Sequence, residues 1–211
     1  VSYLLDVINK LTFDTIYHEH MSYHAIKPLI KFARKNNLQV FDFDLIKAQG
    51  GSIRIYVSHL GTKKINNKKI KQQISLENRK GLFSENLYYN YMKRINNQKI
   101  ILLKIFRDLK KQKKNIIGFG APAKLTTFSF KFDINNKIVP FVVDDNYLKQ
   151  NRLSPGKNIK IISYKELKTK KFDAIIIFAW NFAESIIKRI KKIFKDKKII
   201  IPFPKVKIIK S

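Results

Sequence analysis

The chain has 211 residues, 45% of them hydrophobic, with 44 Lys and Arg against 15 Asp and Glu (formal net charge +29) and no cysteine. That is enough chain for one large or two small domains with a real core, and without cysteine there are no disulfides or thiolate metal sites, which fits a cytoplasmic setting. No apolar run reaches the ~18 to 20 residues of a membrane span, no signal-peptide pattern opens the chain, and the lysine excess is spread from end to end with little arginine; neither a membrane nor nucleic acid is therefore expected as partner, although a positive field favours capture of a phosphate-bearing substrate.

Val1 to Lys10 carries Leu4, Leu5, Ile8 and Leu11 at helical spacing. Since the chain opens on Val1 in what reads as the middle of this helix, it is expected to be part of a longer protein. Phe13 to Tyr17 reads as a short strand, Tyr23 to Asn37 as a helix, and Leu38 to Ala48 and Ser52 to Leu60 as a hairpin turning at Gly50-Gly51. Helix, strand, helix and closing hairpin resemble the end of a class I methyltransferase sheet. Residues 1–60 are taken as that portion and 61–112 as a basic linker running into a long bridging helix over Leu82 to Gln112.

From residue 113 to 211 strands and helices alternate: strands at Ile116–Phe119, Lys137–Val143, Phe172–Ala179 and Lys198–Pro202, with helices following Lys124, over Ser163–Leu167 and over Asn181–Phe194. Such alternation implies a parallel sheet, hence a Rossmann-like three-layer αβα domain, and an α/β fold for the whole.

The densest chemistry is Tyr17-His18-Glu19-His20, four titratable residues in succession. A histidine titrates near neutrality and a neighbouring carboxylate orients it, so His18 or His20 is a candidate general base and spacing alone does not choose between them. In a strand, Tyr17 and Glu19 would face one way and the two histidines the other. Glu19-His20-x-x-x-His24 inverts the order of the helical zinc motif, and no metal site is expected. Gly118-x-Gly120 with Ala121 opens like a dinucleotide fingerprint but lacks its third glycine; Lys124 at that turn favours an anionic ligand over a bare βα turn. Asp144-Asp145 suits either a ribose or the capping of the next turn. Trp180 suits stacking on a base or sugar, or a place in the core, and Asn181 reads first as a helix N-cap.

Together these pieces resemble one family, the S-adenosylmethionine-dependent sugar C-methyltransferases that act on nucleotide-activated keto-deoxysugars. The resemblance rests on Asp14-Thr15-Ile16-Tyr17-His18-Glu19-His20-x-Ser22-Tyr23 and Gly50-Gly51-Ser52-Ile53-Arg54-x-Tyr56. It continues through Gly118-Phe119-Gly120-Ala121-Pro122-Ala123-Lys124, Val143-Asp144, Lys149-Gln150, Pro155-Gly156, Ala179-Trp180-Asn181-Phe182 and Pro202-x-Pro204. It implies a zinc-binding cysteine module and a glycine-rich S-adenosylmethionine loop, both expected before Val1, and a Rossmann-like domain that helps hold the nucleotide sugar. By position it implies His20 as base, Glu19 orienting it and Tyr17 hydrogen-bonding the substrate. His18, Arg54, Gly120, Ala121, Lys124, Lys149, Trp180 and Asn181 become the expected substrate contacts. Gln49 departs from a histidine usual in relatives, and Leu125-Thr126 from Gly-Asn. The other classes weighed are a non-catalytic sugar-nucleotide binding module and a nicotinamide-dependent oxidoreductase, which the incomplete fingerprint disfavours.

Overall fold

A computed structural model describes residues 1–211. The chain forms two compact units, one of residues 1–12 and 18–94, the other of residues 13–17 and 95–211. No helix is long and apolar enough to cross a membrane.

The first unit holds α1 (Leu4–Asn9), α2 (Ile26–Lys35), β1 (Leu38–Ile46), β2 (Ser52–His59), α3 (Asn67–Arg79) and the start of α4 (Glu85–Lys111). β1 and β2 pair antiparallel from Leu38 against His59 to Ile46 against Ser52, as the alternation of Val40, Phe43, Ile53 and Ile55 predicts. The connection is longer than a two-residue turn, with a 3-10 turn over Ala48–Gly50. Gly51 closes it because a Cβ there would fall 2.2 Å from the Asp6 carboxylate. The basic stretch read as a linker contains α3, whose Glu77 is fully buried and accepts from Tyr3 Oη at 3.0 Å and from the Ile26 amide at 2.9 Å. That carboxylate satisfies a free N–H at the start of α2 from another helix. Burial, followed by the nearby Glu77 charge, pushes the Tyr3 phenol well above its ordinary value.

The second unit is a six-stranded sheet flanked by helices, an α/β Rossmann-like domain. Its strands are β3 (Ile116–Phe119), β4 (Phe141–Val143), β5 (Lys160–Ile162), β6 (Ala174–Ile177), β7 (Lys198–Ile201) and β8 (Lys207–Lys210), in the order β5-β4-β3-β6-β7-β8. All neighbours are parallel except β7 and β8. β3 and β6 are buried at every position, which is why they read as unbroken apolar runs. Ile117, Phe119, Ile175, Ile177 and Ile199 pack on one face with Leu167 of α6 (Tyr164–Leu167) and Ile186 and Ile190 of α7 (Ala183–Ile193). On the other face Phe128 of α5 (Leu125–Phe132) meets Phe178 edge-on at 5.4 Å.

Two strand readings are corrected. Phe13–Tyr17 is not a strand: Phe13–Thr15 is a 3-10 turn whose three residues are all buried, which alternation cannot give, and no strand lies beside it to pair with. Tyr17 and Glu19 therefore do not share one strand face opposite the histidines. The strand read from Lys137 begins only at Phe141, because residues 136–138 turn and Pro140 has no N–H to give a ladder. Strands β5 and β8 had no reading in the sequence.

Candidate functional site

In the second unit the strand order reverses between β3 and β6, and ligands of open α/β sheets bind beyond the carboxyl ends of strands at such a point. Two turns meet there, Gly120–Lys124 after β3 and Phe178–Phe182 after β6. They approach closely: a Cβ on Gly120, whose φ is +82°, would lie 2.5 Å from the Ala179 Cβ.

The crevice is filled by the chain's own residues. Phe13 sits among Phe128, Phe132 and Phe203 with ring centroids at 6.1, 5.6 and 5.3 Å. Asp14, 1% exposed, accepts from Trp180 Nε1 at 2.7 Å and lies 3.8 Å from Lys124 Nζ. Lys124 stands over the Trp180 ring at 4.5 Å. Thr127 Oγ1 donates to the Ile16 carbonyl at 3.0 Å. Burial raises the Asp14 carboxyl above its ordinary range, opposed by Lys124 and the Trp180 bond, and burial lowers Lys124, opposed by Asp14.

The glycine-rich turn is likewise engaged internally. Asp144 accepts from the Ala121 amide at 2.7 Å and from the Asn146 amide at 2.9 Å, the turn-capping role of the two considered for it. Lys149 Nζ donates to the Ala121 carbonyl at 2.9 Å. The N–H that a pyrophosphate would need is thus held by a carboxylate. Asp145 forms a two-point pair with Arg189, at 2.5 and 3.1 Å.

Asn181 does not cap α7. Trp180–Phe182 forms a 3-10 turn, Phe182 takes the cap position without a side-chain bond, and Asn181 Oδ1 is a buried acceptor with no hydrogen-bond partner. Trp180, 9% exposed, lies in the core, the second of the two places open to it.

Gly120, Ala121, Lys124, Lys149, Trp180, Asn181 and Tyr17 thus belong to the second unit, and His18, Glu19, His20 and Arg54 to the first. His18 Nε2 is 3.9 Å from Glu19 Oε1, with both side chains more than half exposed. His20 and Tyr17 are half-buried, and Arg54 is exposed on β2 opposite Asp44. His24 Nε2 is 3.0 Å from Ser22 Oγ. Asp14 has no role legible from its spacing alone; an acid beside Phe13 just before the titratable run is the signal that marks it.

Residues 47–204 match the C-methyltransferase C-terminal domain family. The chain belongs to this family. It is also similar to the C-methyltransferase NovU of Streptomyces niveus, 26% identical over 212 residues that take in 100% of this chain and 50% of that protein. The chain therefore spans about half the length of the curated relative it matches. A C-methyltransferase implies S-adenosylmethionine as methyl donor. The residues present do not fit that group: the glycine-rich turn after β3 is occupied by Asp144, Gly50-Gly51 is a hairpin turn closed over Asp6, and no other strand runs into a glycine-rich turn.

Proposed function

We propose that this chain is the C-terminal part of a sugar C-methyltransferase acting on a nucleotide-activated keto-deoxysugar, with His20 removing the proton from the carbon α to the ketone. The observation that carries the reading is the run Tyr17-His18-Glu19-His20, which begins two residues after the buried turn Phe13–Thr15 in a chain of the C-methyltransferase C-terminal domain family.

A ketone acidifies the adjacent C–H. As an imidazole nitrogen of His20 takes that proton, the C–H electron pair forms the C=C bond and the carbonyl pair moves onto oxygen, leaving an enolate and an imidazolium. Glu19 orients the histidine and Tyr17 hydrogen-bonds the substrate. His18, Arg54, Gly120, Lys149 and Asn181 stand as the substrate contacts, whereas the Ala121 N–H, Lys124 and Trp180, also expected in that role, are already engaged by Asp144 and Asp14. Among them Asn181 Oδ1 is a buried acceptor without a hydrogen-bond partner. The methyl group comes from S-adenosylmethionine held by residues outside this chain, and zinc belongs to a cysteine module also outside it.

The test is methyl transfer from isotopically labelled S-adenosylmethionine to a panel of nucleotide-linked keto-deoxysugars by the protein at its natural length. The expected result is transfer by wild type and its loss in His20→Ala. Turnover of His20→Ala at the wild-type rate would remove His20 from the role. A non-catalytic binding module would bind the nucleotide sugars without transfer and be indifferent to His20.

A further inference from the structure

A carboxyl side chain at 1% exposure, beside the Phe13 ring that packs on Phe128, Phe132 and Phe203, is an expensive choice where Leu or Val would pack as well. What Asp14 adds over an apolar residue is direction. Its Oδ2 meets the indole N–H of Trp180 at 2.7 Å and faces Lys124 Nζ at 3.8 Å, so the carboxylate is located from two sides by residues on the two turns that define the crevice. The backbone carries that location forward: Ile16 N donates to Phe13 O at 3.0 Å, Tyr17 N to Thr15 O at 3.1 Å, and Thr127 Oγ1 to Ile16 O at 3.0 Å. Every residue from Phe13 to Tyr17 is thereby tied.

We infer that Asp14 and Trp180 are positioning residues: their buried hydrogen bond, supported by Lys124 and Thr127, fixes the backbone that presents Tyr17. The inference rests on the proposed function, in which Tyr17 hydrogen-bonds the substrate. It gives the Rossmann-like domain a role in catalysis other than ligand binding, since the crevice such a domain offers to a dinucleotide here grips the segment that ends in Tyr17. The same filling explains why the Gly118-x-Gly120 turn need not serve a nicotinamide cofactor.

The test measures methyl transfer by the protein at its natural length, comparing wild type with Trp180→Phe, Asp14→Ala, Asp14→Asn and Thr127→Val, each corrected for folded protein by calorimetry. A shift of about 1 Å in a reacting group costs on the order of 100-fold. Trp180→Phe and Asp14→Ala should therefore lower kcat by about 10- to 100-fold while the KM for S-adenosylmethionine stays within about twofold. Asp14→Asn, whose amide oxygen still accepts the indole N–H, should recover most of the loss. Thr127→Val, on a half-buried residue whose loss does not threaten folding, should show a smaller fall in kcat of the same kind. Wild-type kcat in Thr127→Val together with Trp180→Phe, or losses that track only the amount of folded protein, would overturn the inference while leaving the proposed function standing. Absence of methyl transfer by wild type itself would instead remove that function, and the positioning role with it.

Discussion

Trp180 Nε1 donates a 2.7 Å hydrogen bond to Asp14 Oδ2 across 166 positions of sequence, inside the crevice where the strand order of the C-terminal sheet reverses. Both partners are buried, and Lys124 lies against both. Removing the donor leaves a buried acceptor unsatisfied, so Trp180→Phe should lower stability by about 1 to 3 kcal/mol. Urea unfolding should show a lower midpoint at unchanged slope.

The same pair gives a pH dependence of defined sign. Burial raises the Asp14 carboxyl in the folded state above its unfolded value of 3.8. Between those two values the folded chain binds more protons than the unfolded one, so this group's contribution is fully present below the unfolded value and is lost as pH rises through the folded one. Wild type measured against Asp14→Asn should therefore gain relative stability as pH falls from 7 towards 4. The check is the difference in urea-unfolding free energy between the two proteins at several pH values in that window, where the contributions of other groups cancel.

Glu77 offers a second buried carboxylate, in the first unit, whose Oε1 accepts from both Tyr3 Oη and the Ile26 amide. Glu77→Ala leaves two buried donors unsatisfied and should cost about 3 kcal/mol, at ~1–3 kcal/mol for each. Amide hydrogen exchange should place the loss at the start of α2, with faster exchange of the Ile26 N–H.

Gly120→Ala should be strongly destabilising, by about 2 to 4 kcal/mol, because the new Cβ meets Ala179 Cβ at 2.5 Å and φ is +82°. Thermal unfolding checks it. An unchanged melting temperature would mean that the two turns separate readily, contrary to the close approach described above.

NADH should leave the fluorescence of Trp180 unchanged, since Phe13 and Asp14 fill the crevice and Asp144 holds the Ala121 amide. Trp180 is the only tryptophan of the chain, so the titration reads this site alone.

The C-terminal sheet was legible because β3 and β6 are buried on both faces, leaving runs such as Ile116-Ile117 and Ile175-Ile176-Ile177 between turn residues and amphipathic helices. β5 was not, being three residues long and defined by the ladder that Phe141 to Val143 supplies. Phe13–Tyr17 misled because Phe, Thr, Ile and Tyr favour strands locally, whereas their partners, Trp180, Phe203 and Thr127, come from far along the chain. Asn181 carried a correct cap signature one residue from where α7 could use it, since the 3-10 turn over Trp180–Phe182 displaces the helix start. The titratable run itself was plain in sequence; the buried acid that anchors the turn before it was visible only as an Asp among apolar neighbours.

The central claim, that His20 forms an enolate by taking the proton α to the sugar ketone, is most directly tested by solvent deuterium exchange. The protein at its natural length is incubated in deuterated water with a nucleotide-linked keto-deoxysugar and no methyl donor, and deuterium at the α carbon is followed by NMR. Exchange by wild type and its loss in His20→Ala is the predicted result; equal exchange in both proteins would contradict it.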